Sequence, residues 1–244
     1  MSNDVLFYMW EPFRQSVIAQ HVFYVEQAKQ RLLVQFSSLE QEENTNAFID
    51  QYMRENAYRF DPEFHDVGDF YEEACERYQA LLALGMQIRL SVVAGMYHEW
   101  DKQLKKWLVT EIQRWHTGKN VPQAIWKASF DQIMDMLAQL GWDIKIQAYY
   151  GKLNECRLVA NVYKHGDGAS FDNLRKCFPE YLPVSSTSYP LGCTNSTDLT
   201  VNITQLDAFS SAIVSFWENI PENIYDYDGA KVPNWLKRAF DKDA

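Results

Sequence analysis

The segment "NECRLVANVYKHGDG" sets Asn154, Arg157, Asn161 and His165 three or four residues apart. On an α-helix, which turns about 100° per residue, the four share a stripe roughly 80° wide. An imidazole at the end of such a stripe can take up and return a proton near neutral pH. A guanidinium on the same face can grip a phosphate. An amide between them can orient a hydroxyl or fix the imidazole tautomer. Lys164 adds a second cation. Together these groups suit metal-independent cleavage of RNA, in which the histidine assists attack of a 2′-hydroxyl on its own phosphate and the cations stabilise the charge that develops. A structural reading stays open beside it. Histidine and lysine in a last helical turn also meet unpaired carbonyls and the negative end of the helix dipole, and Arg157 with Asn161 can form a solvated stripe.

The helix that must carry this stripe is predicted from about Asp143 to Lys164, with Asp143 as N-cap and Gly166 just past its end. Its other faces carry Leu153, Cys156, Leu158, Val159, Ala160 and Val162, so the pattern predicts a largely buried element with one polar face. Around it the spacing predicts further helices. One runs over Glu11–Tyr58, interrupted at "SSLEQEENTN". Others cover Asp69–Leu84, then Met86–His116 after a break at Gly85, and Pro122–Leu140. A short helix follows Ser170 as N-cap, another spans Leu206–Asn219, and "NWLKRAF" closes the chain. "FDPEFHDVGDF" and Val184–Thr200 read as loops. With 10 Gly and 8 Pro in 244 residues, breakers are few, and the fold class expected is all-α.

The net charge of −10 argues against broad nucleic-acid binding, which needs a basic surface, but leaves room for a local basic cleft. "KQLKKWLVTEIQRWHTGK" is locally basic: Lys102, Lys105, Lys106, Arg114 and Lys119 can track phosphates or form a solvated helix face, with Trp115 available to stack. No apolar run approaches the ~20 residues of a membrane span, and the N-terminus lacks the basic start of a signal peptide, so a cytoplasmic protein without membrane contact is expected. Cys75, Cys156, Cys177 and Cys193 form no C-x-x-C pair and read as reduced thiols. His21, His65 and His116 are isolated, so no metal site and no cofactor are expected. The sequons at Asn195 and Asn202 carry no chemical meaning without secretion. In "YHEW", His98 and Glu99 point about 100° apart; Glu99 can approach the His165 cleft from a neighbouring helix or belong to a buried polar pair.

"NECRLVANVYKHGDG" followed by "LRKCFPEY", with "SVVAGMYHEWDKQLKKWL" upstream, resembles the core helices of HEPN-superfamily proteins. The N-x-x-K-H-G form is common among their uncharacterised bacterial members, and the resemblance spans roughly Met86 to Tyr181. It implies an up-and-down helical bundle over residues 61–244, preceded by an N-terminal helical extension over 1–60. It also implies a homodimer whose two copies meet at one composite cleft. Many members are ribonucleases of toxin–antitoxin or phage-defence systems, whose motif is an arginine, four to six residues, and a histidine. Carried over, His165 matches the catalytic histidine, Arg157 the arginine and Asn161 the polar group. Lys164, Asn154 and Glu99 are then candidate substrate-binding residues. RNA, a cognate antitoxin or another neighbouring-gene product, and a second copy of the chain are the partners implied. Seven residues separate Arg157 from His165, and Leu158 follows the arginine. That departure keeps an alternative in view: a catalytically inactive dimer that serves as a protein-interaction or sensor module.

Overall fold

The computed structural model describes residues 4–37, 43–59, 61, 63, 66–183, 194–226 and 231–244. His65, Cys193, part of the "FDPEFHDVGDF" loop and the first ten residues of the 184–200 loop lie outside them. The protein is all-α. The described residues form helices α1 (Glu11–Arg31), α2 (Glu43–Glu55), α3 (Val67–Ile112), α4 (Asn120–Lys127), α5 (Phe130–Gln139), α6 (Tyr150–His165), α7 (Ala169–Cys177), α8 (Ile203–Asn219) and α9 (Asn234–Asp243). Two short strands, β1 (Val5–Tyr8) and β2 (Asn223–Tyr225), pair antiparallel and tie the two ends of the chain together.

Helix α3 is the axis on which the site depends. It packs against α1, α2, α4, α6 and α8. Asp66 caps its start, accepting from the Gly68 amide at 2.7 Å. The break expected at Gly85 does not occur: α3 runs through it for 46 residues. A Cβ at Gly85 would meet the Phe36 side chain at 3.0 Å, so the residue is small to admit a ring, not to end a helix. By length and composition α3 could cross a membrane, with a mean hydropathy of 1.5 in its most apolar 18-residue window. Here it buries Arg89, Trp100, Trp107 and Glu111 against other helices, as the central helix of a bundle does.

One buried cluster extends from Phe7 and Val25 through Trp100 and Val159 to Phe216 and Ala239, so β1 and α1 share their core with the later helices. Aromatic edges set its centre: Trp100 and Phe216 meet at 5.0 Å and 89°, and Phe216 also packs on Trp142 and Trp217.

Three other boundaries differ from expectation. The helix expected over Pro122–Leu140 is two helices, because Ser129 accepts from the Gln132 amide while the Gln132 side chain accepts from the Ser129 amide. That reciprocal capping starts a new helix. Asp143 caps a single 3-10 turn, and α6 begins at Tyr150. Ser170 lies inside the first turn of α7, after Gly168. Asn202, noted as a sequon, caps α8 through the Gln205 amide.

Candidate functional site

Helix α6 ends as its sequence demands. Gly166 adopts φ +73, and its amide closes the last turn on the Val162 carbonyl at 2.8 Å. A residue with a Cβ is strained there, so the glycine fixes where the polar stripe stops. Leu153, Cys156, Leu158, Val159, Ala160 and Val162 are buried and anchor the helix against α3 and α8. The stripe is what remains: Asn154, Arg157 and Asn161 half-buried, Lys164 and His165 exposed.

The stripe divides into two parts. At its N-terminal end the side chains serve the fold. The Asn154 carbonyl oxygen accepts from Arg157 Nε at 3.0 Å and Nη2 at 2.7 Å, and the Arg157 guanidinium lies 5.1 Å from the centroid of the Phe130 ring. Arg157 is thus turned back along α6, away from His165. Eight residue steps along the helix set the two about 12 Å apart in rise. At the C-terminal end, Asn161, Lys164 and His165 have no hydrogen-bond or ion-pair partner among the described residues.

Across from that free end stands His98 of α3. Its Nε2 is closed off from solvent without a hydrogen-bond partner among the described residues. Burial lowers the His98 pKa, and the positive charges of Lys164, His165 and Lys102 lower it further, against the pull of Asp101. The end of α6 thus brings Lys164 and His165 near His98, with Asn161 one turn back on the α6 stripe. Lys105 and Asp101 continue the same polar face of α3, paired at 3.0 Å.

Glu99 does not join this cluster. It lies on the other side of α3, ion-paired with Lys102 at 3.3 Å, and lines a depression of about 200 Å³ with Gln20, His21 and Tyr24 of α1. His98 is the residue that sequence reasoning missed. His98, Asp101 and Lys105, at i, i+3 and i+7, form a polar stripe between buried neighbours, and that spacing is the signal that marks it. A cavity of about 280 Å³ also adjoins the end of α6, lined by Val162, Tyr163 and Gly166 and by Ser196 and Thr197. By helical geometry it opens on the face opposite the stripe.

The locally basic run is mostly neutralised within α3: Lys102 by Glu99, Lys105 by Asp101, and Arg114 by Glu111 at 3.2 Å. Trp115 stacks on Phe240 and donates to the Leu6 carbonyl at 2.9 Å. Among the described residues no three histidines, cysteines or carboxylates are grouped to hold a metal. Cys156 is fully buried, and that burial, with Glu155 beside it, pushes its thiol pKa up.

No protein-family model, no curated protein and no solved structure matches this chain. The likeness to the HEPN superfamily stands on the quoted segments alone.

Proposed function

We propose that the protein is a HEPN-like, metal-independent endoribonuclease acting in the cytoplasm within a bacterial toxin–antitoxin or phage-defence system. The observation that carries the reading is the uncommitted end of α6, where an exposed imidazole, an exposed ammonium and, one turn back, a half-buried amide have no partner among the described residues. His165 takes the proton from the RNA 2′-hydroxyl and returns one to the leaving oxygen. Lys164 holds the phosphate and Asn161 orients the hydroxyl. His98 lies near them, its pKa lowered by burial and by the Lys164 and His165 charges.

Arg157 is about 12 Å along the helix from His165 and faces the other way, so one copy alone does not bring both to one phosphate. The proposal therefore includes a homodimer, in which the guanidinium of one copy faces the histidine of the other. The test is incubation of purified protein with single-stranded RNA in a metal chelator. Cleavage that His165→Ala abolishes supports the reading. Undiminished cleavage by that variant overturns the assignment. Mixing inactive His165→Ala and Arg157→Ala proteins restores part of the activity if the cleft is shared, and restores none if it is not.

The commitment of Arg157 to Asn154 and Phe130 favours a second reading, an inactive HEPN-like dimer that binds an antitoxin or another partner protein. That reading expects no cleavage under any condition, and a stable complex with a neighbouring-gene product.

A further inference from the structure

The chain carries a net charge of −10, yet one part of it is basic. Residues 119–127 and 231–244, which contain α4 and α9, hold six lysines and arginines against two aspartates. The two helices pack antiparallel. Asp243, at the C-terminal end of α9, accepts from the backbone amides of Lys119, Asn120 and Val121 at 2.9–3.1 Å, and His116 bonds its Oδ2 at 3.0 Å. Burial alone would raise the Asp243 carboxyl pKa; the hydrogen bonds from His116, Asn120 and Val121 outweigh it and hold the group well below the usual carboxylate range. That aspartate is spent on the start of α4 and does not neutralise the face beside it.

Between the helices runs an open groove of about 310 Å³. Its polar lining is Asn120, Gln123 and Lys127 from α4, and Trp235, Arg238 and Lys242 from α9. The spacing on each helix places these residues on the inner face. Lys127, Arg238 and Lys242 are exposed, and their charged side-chain groups have no ion-pair or hydrogen-bond partner among the described residues. In and just after α3, by comparison, Lys102, Lys105 and Arg114 are each paired with a carboxylate, and Lys106 alone of the four cations from Lys102 to Arg114 is left exposed without one among the described residues. Three unpaired cations facing one groove in an acidic protein repel one another unless an anion sits between them.

The donor set says which anion. The Arg238 fork fits two oxygens of one phosphate, and the two ammonium groups add charge at either end. Gln123 can give and accept hydrogen bonds, as base and sugar edges require, while Asn120 Nδ2 is committed to Asp243 Oδ1 at 2.7 Å and leaves only its carbonyl oxygen to accept. Trp235 offers an aromatic surface at the Lys127 end, on which a base can stack. The stretch from Asn120 to Lys127 spans about 10 Å, and the volume lies at the lower end of the range for small-molecule sites.

We propose that the α4–α9 groove binds a nucleotide unit, with its phosphate on Arg238 and Lys242, its base on Trp235 and Lys127 beside the base to take a neighbouring phosphate, either free or as part of a single strand. The site is separate from the end of α6. His98 lies about 20 Å along α3 from the end at which α4 begins, so the inference does not depend on cleavage at His165.

The test is fluorescence anisotropy with a labelled 12-nucleotide single strand, with AMP and ATP as competitors and inorganic phosphate and poly-glutamate as controls. Wild type is expected to bind the strand with salt-dependent affinity. The combined K127Q/R238Q/K242Q variant should lose at least tenfold in affinity and lower the log–log salt slope by about 2. Trp235→Ala should weaken binding about tenfold. The unfolding temperature of the triple variant should stay that of wild type, because the three side chains support nothing in the fold. Competition by AMP or ATP assigns the site to a free nucleotide; strand binding without such competition assigns it to the strand. His165→Ala should bind as wild type does, so loss of cleavage and loss of this site remain distinguishable. Equal affinity of the triple variant, tighter binding of poly-glutamate than of the strand, or absence of binding by any nucleotide overturns the proposal.

Discussion

Two seams of the molecule use the same residue types for opposite ends. Between α1 and α8, Arg14 is 8% exposed and donates to the carbonyls of Trp217, Glu218 and Ile220 at 2.6–2.9 Å, while its Nε pairs with Glu11. It closes the C-terminal turn of α8, whose carbonyls have no partners of their own. In the same seam His21 is 7% exposed and bonds Ser210 at 2.9 Å. Where α3 meets the end of α6, the histidines and the lysine have no such partners. His98 Nε2 is unmatched, and Lys164 and His165 face outward. A cation or imidazole that holds the fold together is buried and bonded across the seam, although Arg14 Nε, ion-paired with Glu11, lacks a hydrogen-bond acceptor among the described residues, as His98 Nε2 does. One left free at a helix end is available for a substrate.

Stability measurements test this contrast. Arg14→Ala should cost about 3 kcal/mol or more in chemical denaturation, because it orphans two buried carbonyls and a part-buried one and deletes a charged donor. A loss under 1 kcal/mol would remove the contrast. Next is His21, whose pKa burial lowers to about 4, against the opposing Ser210 hydrogen bond. The unfolded chain, with a pKa near 6.5, then binds the proton first, so this contribution is full above about pH 6.5 and fades as pH falls toward 4. It amounts to about 3 kcal/mol in all, with about 2 of these gone by pH 5. Comparing wild type with His21→Asn from pH 7 to 5 isolates it; parallel profiles would refute it. Arg157→Ala, which removes a charged hydrogen bond and a ring contact, should cost about 1–2 kcal/mol. Lys164→Gln should change stability by less than about 0.5 kcal/mol, the level of a free surface side chain.

The end of α6 can be read from the chain because local rules decide it: apolar faces, a Lys-His pair in the last turn and a glycine after it. Gly85 misleads because its reason for being small is Phe36, almost fifty residues away in sequence. The start of α5 was written in "SFDQ", a capping sequence that lies inside an otherwise continuous helical period. The choice between His98 and Glu99 depends on how α3 is rolled about its axis. Tyr97, Trp100 and Leu104 set that roll by entering the core, and the period alone leaves it a residue uncertain. The α4–α9 groove needs the docking of Asp243 onto a helix more than a hundred residues earlier, which spacing along the chain does not encode.

We propose that the free end of α6 cleaves RNA through His165. The most direct test is the single-turnover rate on a short RNA and on its 2′-deoxy counterpart, in chelator, with wild type and His165→Ala matched for unfolding temperature. The account predicts cleavage of the RNA alone, slowed about a hundredfold or more in the variant. Equal rates for the two proteins, or equal cleavage of the 2′-deoxy strand, would contradict it.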